Sequence, residues 1–279
     1  MKIVSSGGTI STETYLAKKR QVRRKKLIIW GSALILLLGL LIFLSRLEYF
    51  QVREVNVSGA EATSPDSVVL VAKDLMSEKY LWLVPKSNAL VYPEDFMREI
   101  LFRKFPRFSS VDFSLSGLNT LNISVIEREP FALYCGASAQ GGELSQCYFL
   151  DEVGFIFDHA PSFSEGVYFV YSASEPFSEP LGQAYLSADE FTQLRDFIEE
   201  LKTLGIKPIA LEMTPEVFIL RTENDSSLSW LRSTDLTRLL GNLKAFLSSP
   251  EIKAEKGFLE KFEELDLRTE DKVFYRFKN

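Results

Sequence analysis

The clearest pattern along the chain is an uninterrupted apolar stretch from residue 27 to residue 45. Its sequence, LIIWGSALILLLGLLIFLS, contains no charged side chain. A helix of that length rises about 28 Å, close to the roughly 30 Å thickness of the hydrocarbon core of a bilayer. The stretch therefore predicts a single transmembrane helix at residues 27–46.

The charges on either side of this stretch predict its orientation. Residues 1–26 carry eight Lys and Arg against one Glu, a net charge of +7. The positive-inside rule places such a basic tail in the cytoplasm and the rest of the chain outside. A cleaved secretory signal is the alternative, but its apolar region is normally shorter and is followed by a small-x-small site. The sequence SRLEYF at residues 45–50 offers no such site, so an uncleaved anchor is preferred.

Beyond the apolar stretch, residues 47–129 alternate between strand and helix periodicity. Strands are predicted at residues 50–59, 109–115 and 120–128, and helices at 64–76 and from Pro93 onward. The strand that ends at Gly59 starts within a few residues of the predicted membrane surface. The order predicts a compact β-α-α-β-β unit, a small sheet with two helices on one face.

Residues 130–279 predict a second domain of mixed α+β class that is rich in strands. Ser187 and Glu190 form a capping box for a helix that ends at Gly205. Further elements are predicted as a pair of strands within 149–157, strands at 207–213, 216–222, 227–231, 262–267 and 272–277, and a helix at 234–248. The final two strands flank a turn at residues 268–271. Such a hairpin places the last strand near a sheet edge, where another chain can pair with it.

Composition and charge argue against several classes of function. With +7 in the first 26 residues and −6 overall, the remainder carries −13, unlike a surface that binds nucleic acid. His159 is the only histidine, and the sequence has no GxSxG, HExxH or phosphate-binding glycine loop. The Glu199-Glu200 and Glu263-Glu264 pairs could serve a glycosidase, but adjacent carboxylates are usually solvated. No catalytic residue, metal or cofactor is predicted.

The two cysteines, Cys135 and Cys147, flank a glycine-rich loop and lie in segments that can pair as strands. A disulfide is permitted outside the cytoplasm. Closing a loop of about 13 residues would constrain the unfolded chain by roughly 3 kcal/mol. A disulfide is the preferred prediction, and two buried free thiols are the alternative.

Four segments carry a resemblance to a known family: FQVREVNVSG at 50–59, NTLNISVIEREP at 119–130, YFLDEVGFIF at 148–157 and LDLR at 265–268. They are similar to segments of the FtsQ/DivIB bacterial cell-division proteins, whose order of basic tail, single anchor and POTRA domain also matches. The resemblance implies a POTRA domain at residues 47–129 and an FtsQ-type β domain at 130–279.

The resemblance also implies a function. It points to a non-enzymatic scaffold in the bacterial cytoplasmic membrane, expected at the division septum, that links membrane-anchored division proteins for septal wall synthesis. Its C-terminal strand would receive a segment of an FtsB-type partner, itself paired with FtsL. The contact candidates are Val273, Phe274, Tyr275 and Phe277, although these side chains could instead pack the core of their own domain. A membrane-anchored cell-wall hydrolase and a POTRA-type chaperone or secretion adaptor are alternative functions.

Overall fold

The computed structural model describes residues 12–136, 146–161, 167–269 and 272–278, with side chains from residue 19 onward. The protein is of mixed α+β class, with one apolar N-terminal helix and a large strand-rich sheet. Two compact units divide the chain, the first from residues 1–58, 64–98 and 112–124, and the second from residues 59–63, 99–111 and 125–279. Each unit is discontinuous in sequence.

The apolar stretch lies in one helix, α1 (Thr12–Ser45). Within it, Lys19–Ser45 is long and apolar enough to cross a membrane, with a mean hydropathy of 2.8 in its most apolar window. That window is not buried by the rest of the described protein. The hydroxyl of Ser32 donates to the carbonyl of Ile29, and that of Ser45 to Ile42. These bonds satisfy both hydroxyls within the helix, as an apolar surrounding requires.

Residues Glu48–Phe50 form a 3-10 helix, so the strand predicted from residue 50 begins only at Glu54. The elements that follow keep the predicted order, with one hairpin added. They are β1 (Glu54–Ser58), α2 (Pro65–Ser77), β2 (Lys79–Tyr80), β3 (Val84–Pro85), α3 (Glu94–Lys104), β4 (Phe108–Ser116) and β5 (Thr120–Glu127). Strand β1 pairs with β5 in parallel, and the three long strands form a sheet in the order β1-β5-β4. The β2–β3 hairpin forms a separate two-stranded sheet that the sequence pattern did not predict.

Burial explains why these segments adopt their structures. Strand β5 buries Leu121, Ile123 and Val125, the alternate residues of one face. Gly59, which follows β1, has a φ of +83°, and a Cβ there would lie 2.0 Å from the carbonyl oxygen of Val125. Only glycine fits such a close approach of two backbone segments.

A nine-stranded sheet dominates the rest of the chain. Its strands are β6 (Ala132–Cys135), β7 (Cys147–Leu150), β8 (Ile156–His159), β9 (Val170–Ala173), β10 (Pro208–Met213), β11 (Val217–Thr222), β12 (Ser227–Leu231), β13 (Phe262–Thr269) and β14 (Lys272–Phe277). Their order in the sheet is β14-β13-β12-β11-β10-β9-β6-β7-β8. The pairs β6–β9, β9–β10 and β12–β13 are parallel, so the sheet is mixed.

Four helices accompany this sheet: α4 (Ala188–Thr203), α5 (Leu236–Ser248), α6 (Pro250–Ala254) and α7 (Phe258–Lys261). The capping box predicted at Ser187 and Glu190 is present, with both reciprocal bonds formed. Helix α5 begins after Asp235, whose carboxylate accepts bonds from two backbone N–H groups of the first turn. The apolar faces of α4 and α5 contribute to one core that also contains the fully buried Trp230 of β12.

Candidate partner-binding edge

The site predicted at residues 273–277 lies on β14, at one end of the nine-stranded sheet. Within the described residues, β14 pairs with β13 on one side and with no strand on the other. Antiparallel pairing places Leu265 opposite Tyr275 and Asp266 opposite Phe274. The turn predicted at residues 268–271 is described only as far as Thr269. The outer side of β14 is therefore an edge at which a further strand could pair.

The four predicted contact residues divide between the two faces of this strand. Val273, Tyr275 and Phe277 share one face because side chains alternate along a strand. Val273 packs against the large core, whereas Phe274 points to the opposite face and is 55% exposed. Three of the candidates therefore have partners within their own domain, and Phe274 is the most exposed apolar residue of the strand.

An aromatic cluster anchors the inner face of β14. The ring of Tyr275 lies 5.8 Å from that of Phe246 and 5.4 Å from that of Phe258. Phe277 contacts the same Phe258 ring at 5.7 Å, and Phe258 stacks on Phe262 at 5.9 Å. Aromatic pairs at these separations stabilise a fold beyond simple burial. Phe246 and Phe258 were missed by the sequence pattern as supports of this edge because they come from α5 and α7.

Ion pairs hold the charged side chains of β13 and β14 in place. Arg276 of β14 reaches Glu263 at 3.0 Å and Glu264 at 3.3 Å, both on β13. Further along β13, Arg268 donates to Asp266 at 2.9 and 2.5 Å. The hydrogen bond from Arg268 lowers the pKa of Asp266 below its ordinary value, so this carboxylate stays charged in mildly acidic solution.

A groove of 330 Å³ opens beside β14. Its lining comes from α5, β13 and β14 and includes Leu239, Phe246, Leu267 and Val273. Most of the lining side chains are apolar, and Asn242, Thr269 and Lys272 contribute polar atoms. A groove of this kind could receive side chains of a segment that pairs along the edge.

The structure joins Cys135 and Cys147 by a disulfide. The two residues are directly opposite each other in the antiparallel β6–β7 pair, with Cα atoms 4.2 Å apart. Most of the loop that the disulfide closes lies outside the described residues. Cys135 and the half-buried Cys147 pack with Leu133, Phe149 and Phe157 in a small cluster.

The LDxxG sequence that follows β7 has a structural role. Asp151 is buried, and its carboxylate accepts bonds from the backbone N–H groups of Val153 and Phe155 at 3.0 and 2.8 Å. Arg128 pairs with the same carboxylate at 2.5 Å and stacks on the ring of Phe155, 4.2 Å from its centroid. Asp151 thus closes a turn and neutralises the half-buried Arg128. These contacts stabilise the fold and give Asp151 a structural role.

The residues weighed as candidate catalytic groups have ordinary partners. Glu199 pairs with Lys202 at 2.6 Å and Glu200 with Lys244 at 3.0 Å, while Glu263 and Glu264 share Arg276. His159 lies at the end of β8, where its ring packs on Tyr148 and bonds to the amide of Gln146. Among residues 12–136, 146–161, 167–269 and 272–278, no group of three or more metal-ligating side chains comes together.

Comparison with known proteins adds no assignment. No model of a known protein family matches this chain, and no curated protein matches it significantly.

Proposed function

We propose that this protein is a non-enzymatic, single-pass scaffold of the bacterial cytoplasmic membrane that belongs to the FtsQ/DivIB type. In this proposal, residues 1–26 lie in the cytoplasm, α1 spans the membrane, and the chain after α1 lies outside. The protein concentrates at the division septum and links FtsB- and FtsL-type membrane proteins for septal wall synthesis. The segment resemblances given above suggest the family.

The observation that carries the proposal is the open edge formed by β14. Its backbone has a strand partner on one side within the described residues, and its exposed Phe274 lies beside that edge. Backbone hydrogen bonds from an added strand supply affinity, and side chains that enter neighbouring pockets supply specificity. The aromatic cluster under Tyr275 and Phe277 holds the edge rigid, so little ordering is required when a partner strand arrives.

The membrane anchor would strengthen this association. Partners held in the same bilayer meet at a higher effective concentration than partners in solution. The +7 charge of residues 1–26 would favour a cytoplasmic position and contact with anionic lipid. A weak strand-addition site can therefore suffice when both partners are anchored.

Site-specific photo-crosslinking in living cells tests the proposed contact. A photoreactive phenylalanine analogue at position 274 should yield a covalent product with a small single-pass membrane protein of the FtsB type. The same analogue at Phe96, an exposed position on α3, is the matched control and should not. A crosslink pattern identical at both positions would contradict the β14 site.

Localisation and depletion test the cellular role. A fluorescent fusion should concentrate at mid-cell in dividing cells, and depletion should block septation. Uniform membrane fluorescence together with normal septation would count against a division role. Release of soluble products from purified peptidoglycan would favour the hydrolase alternative, and capture of unfolded exported chains without septal localisation would favour a chaperone.

A further inference from the structure

The β2–β3 hairpin exposes two large apolar side chains at its tip. Leu81 and Trp82 are 86% and 88% exposed, and both have positive φ values, +45° and +61°. A hairpin turn with two consecutive positive φ values normally uses Asn-Gly, because large side chains are strained there. This turn instead holds a leucine and a tryptophan in a strained, solvent-facing position, an arrangement that points to a function outside the fold itself.

Hydrogen bonds tie this tip to the end of the membrane-spanning helix. Arg46, the first residue after α1, donates from Nε to the carbonyl of Leu83 at 3.0 Å and from Nη2 to that of Trp82 at 3.3 Å. The buried Asn88, which follows β3, donates to the carbonyl of Ser45, the last residue of α1, at 2.9 Å. The hairpin is thus fixed to the residues at which the apolar helix leaves the bilayer.

Further exposed side chains near the hairpin suit a membrane interface. The hydroxyl of Tyr80 in β2 donates to the carbonyl of Val91 at 3.2 Å, which brings the exposed Leu90 and Val91 to the hairpin, and Tyr49 is exposed just after α1. Tryptophan and tyrosine prefer the headgroup level of a bilayer because one part of each side chain is apolar and another forms hydrogen bonds.

A groove of 590 Å³ borders the same hairpin and carries positive charge. Its cationic lining residues are Arg46, Arg53, Lys73 and Lys79. Arg53 is already paired with Glu48, so Arg46, Lys73 and Lys79 are the groups that would meet an anion. Cations beside a bilayer surface attract the phosphates of anionic lipids.

We propose that the Leu81–Leu83 tip is a second membrane contact, which inserts into the outer interface of the bilayer that α1 crosses. An anionic phospholipid headgroup occupies the cationic groove beside it. This contact fixes the part of the first compact unit that follows α1 against the membrane surface in one orientation. It depends on α1 being a membrane span and is independent of any partner at β14.

Tryptophan fluorescence of the full chain in lipid vesicles tests this contact. The protein has three tryptophans: Trp30 in α1, Trp82 at the tip and the fully buried Trp230. The Trp30→Phe variant leaves Trp82 as the indole within reach of quenchers. Lipids brominated on their acyl chains should remove most of its emission, and aqueous acrylamide should quench it weakly. The proposal would be overturned if acrylamide quenched the emission of Trp82 strongly and brominated lipid left it unchanged.

Two controls separate the possible failures. Trp82→Phe retains Trp30, which brominated lipid must quench, because an unquenched Trp30 would refute the span on which the proposal depends. The double variant Trp30→Phe/Trp82→Phe retains buried Trp230 and gives the baseline for both quenchers. If Trp30 is quenched and Trp82 is not, the span stands and the hairpin contact is wrong.

The lipid composition tests the groove. In the Trp30→Phe background, adding phosphatidylglycerol to phosphatidylcholine vesicles should increase quenching of Trp82 by brominated lipid. Charge reversal by Lys73→Glu and Lys79→Glu should remove that increase and leave the quenching in pure phosphatidylcholine. Equal quenching in both lipids before charge reversal would overturn the assignment of an anionic headgroup to the groove.

Discussion

Replacing Phe274 with alanine should weaken partner binding while leaving the fold intact. A phenylalanine side chain has about 200 Å² of surface, and 55% exposure leaves about 110 Å² for a partner to cover. At about 25 cal/mol per Å², that area corresponds to about 2.7 kcal/mol. Ordering the side chain costs about 1 kcal/mol, so the net loss should be about 1.7 kcal/mol, or roughly 20-fold in affinity.

The assay compares this variant with two others in the full chain, reconstituted in lipid nanodiscs with an FtsB-type partner. Tyr275→Ala removes a ring from the cluster under the edge and should reduce the free energy of unfolding as well as binding. Phe96→Ala removes a ring of similar exposure from α3, where it lies 5.4 Å from the ammonium group of Lys86, and should leave binding unchanged. The reasoning is refuted if Phe274→Ala binds as tightly as the parent chain, or if Phe96→Ala weakens binding by as much as Phe274→Ala does.

Three further predictions concern the stability of the second compact unit. Gly154→Ala should lower the free energy of unfolding by about 3 kcal/mol in urea titrations, because φ is +86° and a Cβ would lie 2.6 Å from the ring of Phe191. Cys135→Ser should cost about 3 kcal/mol, and adding reductant should affect only the parent chain. Because Arg268 lowers the pKa of Asp266, the stability that this pair contributes above the ordinary pKa of 3.8 should be lost as the pH falls further. Acid titrations of Asp266→Asn should lack that component of the pH dependence.

Strong local signals predicted their elements well. Capping residues marked the start of α4, because Ser187 and Glu190 satisfy each other's backbone donors without help from distant residues. The apolar run of α1 and the final hairpin were similarly visible in the sequence. Each of these features depends on residues close together in the chain, which a periodic pattern can record.

Elements that depend on distant residues escaped the pattern. Strand β9 lies between the parallel neighbours β6 and β10, and its four residues are too few to show a clear period in the sequence. Strands β2 and β3 contain two residues each, too few for any period. At the candidate site, alternation predicts that Phe274 and Tyr275 face opposite ways. The ring contacts of Tyr275 with Phe246 and Phe258 could not be predicted, because only the folded chain brings α5 and α7 to β14.

The sheet order determines which strand would form the edge after a C-terminal truncation. A chain that stopped at Thr269 would not simply lack an edge, because β13 would become the outermost strand. That strand carries Glu263 and Glu264, which would lose their shared partner Arg276. The new edge strand would carry two unpaired carboxylates, and charged edges resist pairing with other strands, although loss of Tyr275 and Phe277 would also uncover the rings of Phe246 and Phe258. A short C-terminal deletion would therefore replace an edge that can pair with a partner strand by an edge whose carboxylates oppose such pairing.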